Sequence, residues 1–139
     1  MIQRIMGIDF GLKRIGIAVS DPLGIMAHPV TVITHTHLAE DMARIRAIIT
    51  EYGVERIVVG QPFNMDGTPG RLTQEFTAFA DRLARESGLP VDMIDETLTS
   101  HAADELMTHQ GGVSRKKRKT VKDKIAAALI LESYLARRS

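Results

Sequence analysis

Short runs of Ile and Val alternate along the chain with stretches in which apolar residues recur at helical spacing. Runs over residues 3–9, 14–20 and 25–33 predict three strands near the start of the chain. Pro29 falls within the third run, and because proline cannot donate to a sheet ladder it favours an edge or bulged strand there. The links between the runs are short, so we expect an antiparallel meander.

The middle of the chain switches to helical spacing. Apolar residues at 38, 42, 45, 48, 49 and 52 predict a helix over 38–52, and Gly53 suits the left-handed residue after its end. A continuous apolar run at 57–59 predicts a central parallel strand covered on both faces. Apolar positions 72, 76, 79 and 83 predict a second helix closed by Gly88, and residues 90–95 a fifth strand.

The last third of the chain is predominantly helical. Thr99 can cap a short helix that stops before Gly111, and a final helix begins near Ser114 or Thr120 and runs to about Arg137. The order βββαβαβαα predicts an α/β fold with a five-stranded mixed sheet, in which an antiparallel meander joins parallel crossovers, and with helices on both faces. We expect one domain over residues 1–139. Without a membrane-length apolar run or a signal-peptide pattern, we expect a soluble cytoplasmic protein.

Carboxylates stand where two of the predicted strands end. Asp9 closes the first strand, at the edge where α/β sheets place their chemistry, although it could be a turn aspartate that accepts hydrogen bonds from nearby amides. Asp95 and Glu96 close the fifth strand at the same edge, although acids there can also favour the dipole of a following helix. Because strand side chains alternate between faces, only one of the pair is expected to join Asp9, and the pattern does not decide which.

Asp123 is a third candidate. At about 100° per residue it falls on the helical row of Ala127, Ile130 and Tyr134, and the stretch 126–131 is apolar nearly all round. The carboxylate is therefore expected to face inward, where it would need a cation or a lysine to neutralise it. The alternative is a capping box in which Thr120 and Asp123 begin the helix.

The composition restricts the metals that such carboxylates could bind. The chain has no cysteine, which excludes thiolate zinc sites. His35 and His37 lie in a polar connector and are expected to be solvated, and no histidine pair has the i, i+4 spacing of a helical zinc site. Converging carboxylates instead predict a site for Mg²⁺ or Mn²⁺, which can activate water and stabilise the leaving oxygen in phosphodiester cleavage.

A cationic segment precedes Asp123. Residues 113–124 contain seven Lys or Arg against one Asp, a local charge of +6 in a chain of net charge +1. The unbroken run is Arg115, Lys116, Lys117, Arg118 and Lys119. With no aromatic residue interleaved it can hold phosphates but offers no stacking platform for bases, and a solvated helix surface is the alternative. Beside Asp123 it would allow a polyanion to be bound and cut in one place.

Four motifs spread over almost the whole chain resemble those of the YqgF (RuvX) family, which is related to the RuvC-type Holliday junction resolvases and associated with pre-16S rRNA processing. They are Gly7-Ile8-Asp9-Phe10-Gly11 with Lys13 and Gly16, Val59-Gly60 through Asn64-Met65-Asp66-Gly67-Thr68, Asp95-Glu96 with Leu98-Thr99, and Val113-Ser114-Arg115-Lys116 through Asp123 to Ile130-Leu131. Gln61 and Thr97 depart from the family pattern, which usually has Leu and Arg at those points.

The resemblance implies an RNase H-like fold and a hydrolase that cuts structured nucleic acid, with 5'-end processing of pre-16S rRNA as the expected activity. It also implies a catalytic triad of Asp9, Glu96 and Asp123 that binds Mg²⁺ or Mn²⁺, which favours Glu96 over Asp95. Lys13 and the cationic run 115–119 are then expected to contact the nucleic acid.

Other functions stay open from the sequence. Branched DNA in place of RNA needs the same chemistry, and symmetric cleavage of a junction would require a homodimer rather than a monomer. The turn at Asp9-Phe10-Gly11 also resembles the phosphate loop of actin-like sugar kinases and ATPases, although those proteins place the nucleotide between two duplicated domains. A nucleic-acid-binding module without catalysis is the third possibility.

Overall fold

The computed structural model describes residues 3–61, 71–95 and 115–138, with the backbone alone at residues 71, 95 and 115–122. The strands are β1 (Ile5–Phe10), β2 (Arg14–Ser20), β3 (Ala27–Thr34), β4 (Arg56–Gln61) and β5 (Val91–Asp95). The helices are α1 (Leu38–Tyr52), α2 (Arg71–Ser87) and α3 (Arg115–Arg138). None of these helices is long and apolar enough to cross a membrane.

The five strands form one mixed sheet in the order β3-β2-β1-β4-β5. β1, β2 and β3 pair antiparallel, whereas β4 pairs parallel with both β1 and β5. The expected meander, parallel crossovers and interior position of the 57–59 run are therefore confirmed. The short helix expected between residues 99 and 111 lies outside the described part of the chain.

The edge strand β3 is where sequence and structure differ in length. It begins at Ala27 rather than at Ile25 because the Asp21 carboxylate accepts hydrogen bonds from the amides of Ile25 and Met26, at 3.1 and 2.9 Å, and holds them in a turn. The pairing of β2 with β3 shifts register close to Pro29, which faces Ala18. The prediction of an edge or bulged strand is confirmed on both counts.

Helices cover both faces of the sheet, as expected. On one face α1 and α2 pack against the β1 residues Met6, Ile8 and Phe10, which are all buried. On the opposite face α3 packs through Ala127, Ile130 and Leu131 against a second buried cluster that includes Ile5, Val58 and Ile94. Residues of β1 therefore alternate between the two layers, with the odd-numbered ones toward α3.

α3 runs antiparallel to β1 and approaches the sheet closely. Near its C-terminus, Arg138 Nη2 donates to Gln3 Oε1 at 3.3 Å, before the start of β1. In its middle, a Cβ built on Gly7 would lie only 2.8 Å from the Ala127 carbonyl oxygen and from Leu131 Cβ. The N-terminal part of α3 is therefore directed toward the carboxyl end of β1.

The first residue of α3 is Arg115, so the earlier of the two expected helix starts is confirmed. Asp123 lies more than two turns inside the helix. The alternative in which Thr120 and Asp123 form a capping box is therefore wrong, because a capping residue must stand before the first turn.

Candidate metal and nucleic-acid site

Asp9 lies at the carboxyl end of β1, on the face that α3 covers. Its register partners are Gly16 in β2 and Gly60 in β4. Because paired residues point to the same side of a sheet, neither flanking strand places a side chain beside Asp9 at this level. The two glycines leave the space around the carboxylate to groups from α3 and to ligands.

Gly16 also joins Asp9 to Asp123. A Cβ added to Gly16 would lie 2.2 Å from the carbonyl oxygen of Asp123, so α3 rests directly on the backbone of β2 at this point. Directly paired antiparallel residues have Cα atoms about 4.5–5.5 Å apart, and the partner of Gly16 is Asp9. Two of the three predicted carboxylates therefore lie on the same face at one edge of the sheet.

The Asp123 side chain faces inward, as its helical row predicts. It is 20% exposed, and its Oδ2 accepts a hydrogen bond from Arg14 Nε at 2.6 Å. Arg14 is the first residue of β2, two positions before Gly16, and its side chain is 35% exposed. The ion pair supplies the neutralising cation that an inward carboxylate needs.

Arg14 is a site residue that sequence reasoning missed. The expectation named a cation opposite Asp123 without identifying it. Strand alternation was an available signal, since it places Arg14 on the same face as Gly16 and Ala18. That signal does not give the register between β2 and α3, which selects Arg14 as the partner.

The remaining predicted site residues differ in how far the structure describes them. Lys13 is exposed in the turn after β1, and its carbonyl oxygen accepts a hydrogen bond from the His35 amide at 2.9 Å. Glu96 lies outside the described residues, and of Asp95 the backbone alone is described. Among the residues the structure describes, no group of three His, Asp or Glu side chains is placed to hold a metal ion.

The cationic run Arg115–Lys119 forms the first turns of α3. With a rise of 1.5 Å per residue, its backbone lies about 6–12 Å along the helix axis from Asp123. Because α3 runs antiparallel to β1, this segment extends from Asp123 away from the C-terminal half of the helix. The expected placement of positive charge next to the carboxylates is consistent with this backbone geometry.

One histidine expectation is wrong. The His35 side chain is only 14% exposed, and its Nδ1 contacts the fully buried carboxylate of Asp41. Asp41 lies in the first turn of α1 and also accepts a hydrogen bond from the Thr36 amide at 3.3 Å. His37 is exposed, as expected, and caps α1 by accepting a hydrogen bond from the Glu40 amide.

Beyond this edge, a second polar cluster ties α3 to the sheet. The Asp92 carboxylate accepts hydrogen bonds from the Tyr134 hydroxyl and, at 2.9 Å, from Arg56 Nη1. The Tyr134 hydrogen bond, followed by the bond and charge of Arg56, holds the pKa of Asp92 below its usual value against the opposing effect of burial. This cluster fixes the C-terminal half of the helix that carries Asp123.

Comparison with known proteins places the chain in a family. The model of the family described as "RuvX: Holliday junction resolvase" matches residues 3–137. A protein from Desulforamulus reducens named "Putative pre-16S rRNA nuclease" is 48% identical over 133 residues, covering 96% of each chain. A protein of the same name from Streptococcus sanguinis is 44% identical over 137 residues, covering 97% of this chain and 99% of the relative.

A solved structure, that of Thermus thermophilus RuvC in complex with a Holliday junction substrate, superposes with a TM-score of 0.63 at 19% identity. The match covers 98% of this chain and 96% of RuvC. The similarity shows that the fold is the RNase H-like fold of the RuvC resolvases, as expected. Together with the near-complete family match, it shows that the chain belongs to the RuvX family.

Proposed function

We propose that this protein is a metal-dependent endonuclease of structured nucleic acid, and that its substrate is precursor 16S rRNA, trimmed at the 5' end. One observation carries the proposal. Asp9 and Asp123 come from distant parts of the chain to the same face at one edge of the sheet, beside the cationic start of α3. That edge joins acidic ligands for a cation to a surface for phosphates.

We infer that Glu96 is the third acidic ligand. Ile94 belongs to the buried cluster under α3, on the same face of the sheet as Asp9. Strand side chains repeat every two residues, so continuation of the β5 pattern by two positions assigns Glu96 to that face. The argument from alternation agrees with the family motif and supports Glu96 over Asp95.

The chemistry of the donor set suits a hard divalent cation. Asp9 and Asp123 offer carboxylate oxygens, which Mg²⁺ and Mn²⁺ prefer, and the two glycines beside Asp9 leave room for a bound ion and a phosphate. Such an ion, when bound, would supply an activated water and stabilise the leaving oxygen. Asp9, Glu96 and Asp123 would hold it.

Arg14 would act beside these ligands as a positioning residue. Its guanidinium contacts one oxygen of Asp123 through Nε and thereby fixes the orientation of that carboxylate. A guanidinium can donate to a carboxylate and to a phosphate oxygen at the same time, because its five N–H groups point in fixed directions. The placement suits the capture of a substrate phosphate next to Asp123.

The cationic run would bind the phosphates that flank the cut. Positions 116 and 119 lie seven and four residues before Asp123, which is the spacing that brings helix residues onto one row. Positions 117 and 118 fall on other rows. Lys116→Ala with Lys119→Ala should therefore weaken binding and lower the salt dependence by up to about 0.7 per lost contact on single strands. Lys117→Ala with Arg118→Ala removes the same charge and is the matched control.

Precursor rRNA is favoured by the names of the similar proteins, and branched DNA is the second candidate because the family description and the RuvC complex both refer to Holliday junctions. An rRNA substrate would place the protein in the cytoplasm. A junction resolvase would need two active sites, and hence a homodimer, for symmetric cuts. Cleavage of RNA by a monomer would favour the first reading.

A matched substrate panel tests the proposal. The purified protein is incubated with precursor 16S rRNA, single strands, duplexes and four-way junctions, each in Mn²⁺, Mg²⁺, Ca²⁺ or EDTA, and products are mapped by sequencing. We expect cuts near the 5' end of the mature rRNA in Mn²⁺ and Mg²⁺, little cleavage in Ca²⁺ and none in EDTA. Preferred symmetric cuts in junctions would select the resolvase instead. Binding without cleavage under all conditions would indicate a module that is not catalytic.

A further inference from the structure

A small pocket lies on the opposite side of the sheet from Asp9, at the same end of β1. It has a volume of about 180 Å³ and is lined by Phe10, His35, His37, Leu38, Glu75 and Ala78. Phe10 follows Asp9 directly, so the two side chains leave neighbouring Cα atoms in opposite directions. A nucleic-acid strand bound across this edge would have the pocket within reach.

The polar wall of the pocket is held rigidly. The buried Asp41 carboxylate contacts His35 Nδ1, and the His35 ring packs edge-on against Phe10 with 5.7 Å between ring centres. Phe10 in turn packs against Phe79 at 4.6 Å. Because Asp41 occupies Nδ1, a ligand in the pocket would meet Nε2 of a ring whose orientation is already set.

The size and lining of the pocket select a planar heterocycle. Pockets for drug-sized ligands usually measure about 300–1,000 Å³, whereas an apolar cavity of about 150 Å³ accepts benzene. The lining combines three aromatic rings with the apolar side chains of Leu38 and Ala78, and the Glu75 carboxylate accepts hydrogen bonds but repels phosphate. Unstacked bases are recognised in this way, by aromatic contacts and by hydrogen bonds to their polar edges.

We propose that this pocket binds a nucleobase, with a preference for guanine, whose adjacent N1–H and N2–H donors match a carboxylate acceptor. The base would belong either to the substrate strand or to a free nucleotide. The first case rests on the proposed nuclease function, because it needs a strand bound at the Asp9 edge. The second case does not depend on cleavage.

A titration with guanosine 5'-monophosphate, followed by amide NMR shifts in EDTA, tests the pocket itself. We expect shifts at Leu38, Glu75 and Ala78, none of that pattern with ribose 5-phosphate, and at least tenfold weaker binding in Ala78→Phe, which fills the pocket. Ala84→Phe adds the same ring at an exposed position of α2 outside the pocket and should bind as wild type does. Glu75→Gln should reduce the preference for guanosine over adenosine monophosphate. Equal shifts with ribose 5-phosphate, or no binding, together with a flat scan of the strand described next, would overturn the proposal.

Abasic scanning of a short single-stranded RNA distinguishes the two sources of the base. If the base comes from the substrate, one abasic position should weaken binding about tenfold or more, since a stacked base contributes roughly 1–3 kcal/mol, and Ala78→Phe should remove that sensitivity. A flat scan with nucleotide binding intact assigns the pocket to a free nucleotide. A flat scan without nucleotide binding, in a protein that still cleaves in Mn²⁺, overturns the pocket and leaves the nuclease standing. A base-specific pocket in a protein that cuts nothing would have the opposite meaning.

Discussion

Replacing Gly16 by alanine would test how closely α3 must approach the sheet to position Asp123. The added Cβ would lie 2.2 Å from the Asp123 carbonyl oxygen, and real Cβ atoms essentially never come closer than 3.0 Å. The difference requires the helix or strand backbone to move by about 0.8 Å, and because the obstacle is backbone no change of rotamer relieves it. Overpacking of this kind costs about 1–3 kcal/mol. A misplacement of about 1 Å at a catalytic group can lower the rate roughly 100-fold.

The assay compares Gly16→Ala with Gly53→Ala by thermal melts and by single-turnover cleavage in Mn²⁺. Gly53 ends α1 with φ of 65°, and a Cβ there would meet nothing within 4 Å, so alanine costs about 1–2 kcal/mol through backbone strain alone. We expect both variants to lose stability and Gly16→Ala alone to lose about 100-fold in cleavage rate. Equal cleavage rates in two folded variants would refute the claim that contact at Gly16 positions the site.

Three further predictions concern single side chains. Arg14→Gln should lower stability in EDTA by about 1 kcal/mol or less, because the pair with Asp123 is partly exposed, and Mn²⁺ should then raise the melting temperature more than in wild type; an equal rise would contradict competition between Arg14 and the metal. Asp92→Asn should lower stability at neutral pH. Because the pKa of Asp92 is lower in the folded state than its usual value of 3.8, its ionised form stabilises the fold above that value, and the difference between variant and wild type in chemical denaturation should fade as the pH falls below it. Glu96→Gln should abolish cleavage while Asp95→Asn keeps a substantial part of it, and the reverse result would move the third ligand to Asp95.

Local patterns were sufficient to predict most of the sheet and both completely described early helices. The bounds of β2 and α1 agree with the expectation to the residue, because each is delimited by a clear change in apolar spacing and α1 also by Gly53, whose φ is 65°. The inward orientation of Asp123 follows from the row it shares with Ala127 and Ile130, both fully buried. These features depend on neighbouring residues alone.

Features that depend on distant contacts were not predictable in the same way. Arg14 and Asp123 are 109 residues apart, and their pairing depends on where α3 crosses β2. The burial of His35 depends on the packing of α1 over Phe10, which turns an apparently polar connector into the wall of a pocket. The choice between Asp95 and Glu96 was likewise left open by the residues and was favoured only by family resemblance and by the layer to which Ile94 belongs.

The most direct test of the account is the response of Asp123→Asn to Mn²⁺, because the amide keeps the shape of the side chain and removes its charge. Melting temperatures with and without Mn²⁺ are measured together with single-turnover cleavage of precursor 16S rRNA, with Asp21→Asn, in the turn after β2, as the aspartate control. We predict that Asp123→Asn stays folded in EDTA, no longer gains stability from Mn²⁺ and cleaves slower by orders of magnitude, while Asp21→Asn keeps both responses. Cleavage by Asp123→Asn at the wild-type rate, or undiminished cleavage by the wild type in EDTA, would contradict a metal site built on this edge.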